Sequence, residues 1–303
     1  MNKAIPEGYR SLTPRPVVGD AVLALETYSR AFGARDAKRV ADPSGATNYA
    51  EFKVGDALIM LAEFRNPQWA GMTPQTLGDS PVMIHLYVED VDAFARQAEA
   101  AGAKLIRPVR DEARGDRVCT LLDPLGHRWM IATHKRDVSL DAQRKLDPAW
   151  EITQPDEAKE APDDRSAIAY LTVDDGIRAI DFYKNAFDAS ETLRFMDQSG
   201  RVGHATLRIG DSSLFLSDEF PGVCSSPRTL GGSSVVIHFY SEDVDRIAQK
   251  AVENGAKVLI PVSNQPYGDR SGRLQDPFGH IWTVATHIED VSPDQLRERG
   301  HSA

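Results

Sequence analysis

The stretch LQDPFGHIWTVATHIEDVS, Leu274–Ser292, decides how this chain is read, because LLDPLGHRWMIATHKRDVS, Leu121–Ser139, precedes it in nearly the same words. The spacing is 276 − 123 = 153 residues, counted between the two aspartates. Asp-Pro-x-Gly marks a tight turn, and the alternating run after it marks a strand. Working outward, VMIHLYVEDVDAFARQAEAAGAKLIRPV (Val82–Val109) matches VVIHFYSEDVDRIAQKAVENGAKVLIPV (Val235–Val262) at the same spacing, 238 − 85 = 153. VGDAVLALETYSRAFGA (Val18–Ala34) matches VDDGIRAIDFYKNAFDA (Val173–Ala189) at 183 − 28 = 155, so two residues are gained or lost in the loop between. The repeat covers nearly the whole of each half.

Each half reads in one order. A short strand (SLTPRPVV; AIAYLTV) leads into an amphipathic helix with Asp20 or Asp175 as N-cap and apolar residues at Val22, Leu25, Tyr28 and Phe32. Alternating strands follow, TNYAEFKVG and DALIMLAEF in one half, VGHATLRIG and DSSLFLSDEF in the other, joined by tight hairpins at VGDA and IGDS. A strand, a helix ending at Gly102, and three more strands complete the half. The expectation is an α+β chain of four β-α-β-β-β modules, two per half. Domains are expected at 1–139 and 166–303. Between them lies a linker, 140–165, rich in Asp, Glu, Lys, Pro and Ala and without an apolar period.

The length of 303 residues suits two domains, and 41% hydrophobic with 26% charged residues gives each a normal core. A net charge of −10 argues against nucleic-acid or anionic-membrane partners, which call for a basic face. No apolar run approaches membrane-spanning length, and MNKAIPEGYRSLTPRP holds no apolar signal core, so the chain is expected to be soluble and cytoplasmic. Cys119 and Cys224 occupy unmatched positions, which reads as two unpaired thiols rather than a disulfide or zinc site.

The V-x-D-(x)7-Y helix start, H-x-Y-x-E-D-V-D and D-P-x-G-H-x-W together resemble the vicinal oxygen chelate superfamily, which includes glyoxalase I, bleomycin-resistance proteins and extradiol dioxygenases. The second half is most similar to the PhnB-like branch. The resemblance implies two tandem domains whose curved mixed sheets surround a cup, as if two subunits were fused. It makes a pseudo-dimeric monomer the expected state, with a homodimer as the alternative.

The resemblance also implies a divalent metal held by His, Glu or Gln at matching places. Seven residues before each helix-starting Asp stand Thr13, Met83, Ile168 and Val236. Seven after the turn aspartates stand Met130 and Thr283. These are poor ligands for such a metal, and only Glu63 and Asp218 offer a nearby carboxylate, so no metal and no other cofactor is expected.

The candidate ligand-binding residues are His85, Tyr87, Arg117, Trp129, His204, His238, Tyr240, Arg270 and Trp282. His85 and His238 lie two residues beyond the counted positions, on the same sheet face. They can line the cup as donor or base, or be satisfied structural histidines. Arg117 and Arg270 can bind a carboxylate or phosphonate, or pair with a neighbouring acid. Trp129 and Trp282 can floor an aromatic ligand, or pack in the core. His204 faces Tyr49 in the repeat, so its role is not shared. His127 and His280 are expected to face solvent or cap the hairpin, and His134 and His287 to be structural. FRNPQWAGMTPQTLG, with Trp69, and FPGVCSSPRTLGG have the size of lids. The first expectation for function is a metal-independent small-molecule binder of the bleomycin-resistance kind. The alternative is a lyase, isomerase or hydrolase acting on a small oxygenated substrate, with His85, His238 and Glu63 as an unusual metal set or a histidine working alone.

Overall fold

The chain is described by a computed structural model that covers residues 3–41, 45, 47–64, 71–154, 167–292, 295 and 299. Four modules follow one another. The first has β1 (Leu12–Val18), α1 (Ala21–Phe32), β2 (Arg35–Ala41), β3 (Thr47–Val54) and β4 (Ala57–Glu63). A single-turn helix, α2 (Pro74–Leu77), leads to the second, with β5 (Val82–Tyr87), α3 (Val91–Ala100), β6 (Lys104–Asp111), β7 (Asp116–Leu122) and β8 (Arg128–His134). The third has β10 (Ile168–Val173), α5 (Gly176–Phe187), β11 (Ser190–Met196), β12 (Val202–Ile209) and β13 (Ser212–Asp218). After the short α6 (Pro227–Leu230) comes the fourth, with β14 (Val235–Tyr240), α7 (Val244–Glu253), β15 (Lys257–Asn264), β16 (Asp269–Gln275) and β17 (Ile281–His287).

The modules pair crosswise. The first and fourth share an eight-stranded sheet, ordered β15-β16-β17-β14-β1-β4-β3-β2. The second and third share a nine-stranded sheet, β6-β7-β8-β5-β10-β13-β12-β11-β9, where β9 is Glu151–Thr153. The seams are antiparallel: Leu12 lies opposite Phe239 in one, and Ile168 opposite His85 in the other. Each concave sheet face is therefore built from both halves of the chain. The helix faces do the reverse. One hydrophobic cluster takes Tyr28, Phe32, Phe52, Ile84, Leu86 and Trp129 from the first half, and another takes Tyr183, Phe187, Leu216, Phe239 and Trp282 mainly from the second.

Local chemistry explains the elements. Asp20, Asp90, Asp175 and Asp243 cap α1, α3, α5 and α7 by accepting backbone N–H groups of the first turn. The helix face differs in detail from expectation: Val22 is 44% exposed, and Ala21, Ala24 and Ala31 join Tyr28 and Phe32 inside. Strands β2 and β11 have no counterpart in the sequence reading. β2 (RDAKRVA) is exposed along its whole length, so it has no alternation to reveal it. The expected linker begins with structure: Leu140–Leu146 is a helix, α4, and β9 adds to the edge of the nine-stranded sheet beside β11.

The repeated turn has a clear mechanical role. Asp276 Oδ1 accepts the Phe278 and His280 N–H groups at 2.9 Å each. Its Oδ2 accepts from the Tyr183 hydroxyl at 2.7 Å and Trp282 Nε1 at 2.9 Å. Asp123 holds Leu125, His127, Tyr28 and Trp129 in the same way. His127 and His280 correct the expectation of solvent exposure: both are fully buried. Their Nε2 atoms lie 3.0 Å from the Val17 carbonyl and 2.9 Å from that of Thr172, so Nε2 carries the proton and ties the two modules of one half together. Burial pushes both imidazoles below the ordinary histidine range.

Candidate functional site

Strand parity sorts the side chains. In the nine-stranded sheet Thr120, Met130, His85 and Ile168 stand side by side across β7, β8, β5 and β10. In the eight-stranded sheet the same row reads Arg273, Thr283, His238 and Thr13, across β16, β17, β14 and β1. The first row mixes two apolar with two polar side chains, whereas all four of the second are polar.

The nine-stranded cup holds a cavity of about 400 Å³ lined by Met130, Tyr170, Phe195, His204, Arg114 and Trp150, among others. Its wall is aromatic. The His204 ring lies 5.3 Å from Tyr170, 5.1 Å from Phe215 and 5.9 Å from Phe195, edge to face. His85 lies 5.4 Å from Phe215 and 4.8 Å from Tyr87. The Arg114 guanidinium sits 5.5 Å over the Phe195 ring and bonds Glu112 at 3.1 Å. Trp150 closes one side, so near Gly203 that a Cβ there would meet the indole at 2.0 Å; only glycine admits it.

His204 Nδ1 lies 2.9 Å from the Tyr170 hydroxyl and Nε2 3.0 Å from Thr206 Oγ1. Neither ring nitrogen of His85 has a hydrogen-bond partner among the described residues, and both are shielded from solvent. Burial, helped by Arg114, pulls His85 down to about 3, and His204 is held well below the ordinary range for the same first reason, so both are neutral at pH 7. Burial raises the Tyr170 hydroxyl to about 12.

The eight-stranded cup is plugged by the segment before β1. The Tyr9 ring packs edge-on against Tyr240 at 5.7 Å, and its hydroxyl meets Tyr49 and Glu51. The Ala4 carbonyl accepts from His287 N–H at 2.9 Å. Inside lie His238, Thr283, Arg15 and Arg273. At each cup edge one triad repeats: Tyr87–Asp116–His134 and Tyr240–Asp269–His287, with bonds of 2.8–3.0 Å.

Of the nine expected ligand residues, His85, Tyr87 and His204 meet in one cup, and His238 and Tyr240 in the other. The remaining four lie outside both. Trp129 and Trp282 are 0% exposed in the helix-side cores. Their neighbours Met130 and Thr283 point into the cups, so parity turns the indoles away. Arg117 and Arg270 also stand on the helix face and bond aspartates of α3 and α7: Arg117 takes Asp92 at 2.7 and 2.8 Å, and Arg270 takes Asp245 at 2.7 and 2.6 Å. Arg117→Met is expected to leave binding in either cup unchanged and to move the urea midpoint little, as ion pairs near the surface contribute little.

The metal implied by the resemblance does not fit the side chains present. Glu63 and Asp218 turn to the helix side, where Glu63 accepts from Ala21 N–H at 3.2 Å and Asp218 from Gly176 and Val202 N–H at 2.6 Å each. His85 and His238 belong to different sheets, so the set His85, His238 and Glu63 is not brought together. Among the described residues no three His, Cys, Asp or Glu are arranged to hold a metal ion. The lid expectation also changes. The parts of the two long loops that the structure describes lead from one sheet to the other, and they are tied where they end: Met72 N–H donates to the Ser233 carbonyl at 2.9 Å, and just past both loops Ser80 Oγ lies 2.7 Å from Ser234 Oγ. Trp69 lies outside the described residues.

A family model described as the Glyoxalase/Bleomycin resistance protein/Dioxygenase superfamily matches residues 16–131 and 166–284. The chain belongs to this superfamily. Solved structures share the fold along almost all of the chain. Glyoxalase I from Zea mays covers 96% of each chain at a TM-score of 0.58 and 18% identity. A putative dioxygenase from Bacillus subtilis covers 94% of this chain and 87% of its own, at 0.54 and 14%. In sequence, an uncharacterized protein of Mycobacterium bovis is 40% identical over 132 residues, 42% of this chain and 87% of that one. No helix among the described residues is long and apolar enough to cross a membrane.

Proposed function

We propose that this superfamily member binds a small, flat, largely apolar molecule in the nine-stranded cup without a metal, holding it as bleomycin-resistance proteins hold their ligand. The observation that carries the reading is the cavity of about 400 Å³ walled by Tyr170, Phe195 and His204, in a size range typical of ligand sites. The aromatic rings supply stacking faces, and Arg114 supplies a polar handle. We read the chain as a tandem duplication of a PhnB-like subunit. The two matched segments and the recurrence of the Tyr–Asp–Trp clamp in both halves support that reading.

A panel of aromatic antibiotics screened by thermal shift, then titrated calorimetrically, tests the proposal. At least one compound is expected to raise the melting temperature. Phe195→Ala is expected to weaken it about tenfold or more, the loss of one aromatic contact and its buried area. If every hit binds the Phe195→Ala protein equally well, the nine-stranded cup is not the site. Stoichiometric Zn, Ni, Mn or Fe in the purified protein would favour the lyase or isomerase alternative.

A further inference from the structure

The eight-stranded cup differs from its partner in charge. Sequence offsets place Arg15 where the other cup has Tyr170, and Tyr267 where it has Arg114 (170 − 15 = 155; 267 − 114 = 153). Arg273 replaces Thr120 in the cup-facing row. The result is two arginines in one cup. Arg15 Nε donates to the Leu61 carbonyl at 3.0 Å, and no carboxylate is bonded to its guanidinium among the described residues. Arg273 Nε and Nη1 are shielded from solvent and have no hydrogen-bond partner among the described residues.

The nearby acids are engaged elsewhere. Glu51 bonds Lys38, Tyr9 and Tyr49, and Asp269 bonds His287 and Tyr240. Burial pulls both guanidiniums down, Arg273 to about 10, and Arg15 lowers Arg273 further, so the two cations feel each other. From Arg273 the row runs through Thr283 and His238 to Thr13, and Arg15 stands two residues beyond Thr13 on the same face of β1. Among the described residues the Thr283 hydroxyl and both ring nitrogens of His238, 7% exposed, have no partner. Folded proteins rarely leave adjacent buried donors idle. These five shielded atoms on Arg273, Thr283 and His238, with the Arg15 guanidinium on the same face, form one surface complementary to an anion.

We infer that this second cup binds the oxyanion head of a small ligand, a carboxylate or phosphoryl group, between Arg15 and Arg273, with Thr283 and His238 beneath it. A planar guanidinium suits two-oxygen acceptors of either kind. The segment carrying Ile5 and Tyr9 then covers the bound head, since these residues already pack on Met60, Tyr240 and Ala285 across the mouth. This site is independent of the aromatic cup and can hold whether or not that cup binds a ligand.

The test compares melting temperatures of the full chain in sodium chloride, sodium acetate and sodium phosphate at matched ionic strength. Wild type and Arg117→Met are expected to gain several degrees in acetate or phosphate, saturating in the millimolar range. The more effective salt assigns the head group. Arg273→Met is expected to lose that gain while melting no lower than wild type in chloride, because it removes an uncompensated cation. If Arg273→Met retains the full gain, or if no anion stabilises wild type beyond chloride, the inference is overturned. Should Arg273→Met fail to fold, the wild-type His238 ring resonances decide instead: a saturable shift with acetate or phosphate supports the site, and no shift removes it.

Discussion

Asp276→Ala is expected to remove about 4 kcal/mol or more of stability, a large share of the 5–15 kcal/mol typical of a folded protein. The carboxylate sits 4% exposed beneath the turn and accepts four hydrogen bonds, two from backbone N–H groups, one from Tyr183 and one from Trp282. Bonds to a charged acceptor contribute about 1.5–3 kcal/mol each, and removing the acceptor strands every donor in a dry site. The four are coupled, so they do not simply add. Asp276→Asn keeps one oxygen for the turn and is expected to lose about half as much. Urea unfolding at pH 7.5 measures both. A loss below ~1 kcal/mol for the alanine variant would show that packing alone fixes the Tyr–Trp contact.

Acid is expected to destabilise the protein steeply below pH 6.5. His85 and His238 are each pulled from the usual 6.5 to about 3 by burial first, then by nearby arginines. Their neutral forms favour the folded state, whereas the unfolded chain binds protons readily below 6.5. Stability from these groups is therefore complete above about pH 6.5, falls as pH drops toward 3, and levels off below. At pH 5 each contributes a loss of about 2 kcal/mol, 1.5 units below the unfolded value at 1.36 kcal/mol per unit. His127, His204 and His280 are shifted the same way and add to the slope. His287, raised through its bonds to Asp269 and Asp290 against the pull of burial, opposes it. Urea midpoints at pH 7.5 and 5.0 for wild type and His85→Leu test this. The variant is expected to lose about 2 kcal/mol less between the two values. An equal loss would mean that His85 is not held neutral.

Much of this was readable from spacing. The alternation in VMIHLY and VVIHFY, and in HRWMIATH and HIWTVATH, puts His85 with Met130 and His238 with Thr283 on one face of each sheet, as the strand register has them. The same count carried further finds Arg15 two positions after Thr13, Tyr170 two after Ile168, and Arg273 opposite Thr283. It also turns Trp129 and Trp282 away, since each neighbours a cup-facing residue. What spacing could not reveal is the partner of each surface. Arg117 reads as an anion ligand or as paired with a nearby acid, and only the fold names Asp92 of α3 as that acid; Trp150 lies in a polar stretch whose docking on Gly203 has no local pattern. β2 escaped notice because a fully exposed edge strand has no buried face to impose a period.

The crosswise seams also set a timetable for synthesis. Leu12 on the first strand must wait for Phe239, more than two hundred residues later, before its sheet is joined. The inner sheet, seamed where Ile168 meets His85, can close while the last quarter of the chain is still emerging. Contacts so distant in sequence slow folding, and until they form, the edge of β1 stays open to pairing with a neighbouring nascent chain. The order of assembly on the ribosome is thus inner sheet first and outer sheet last.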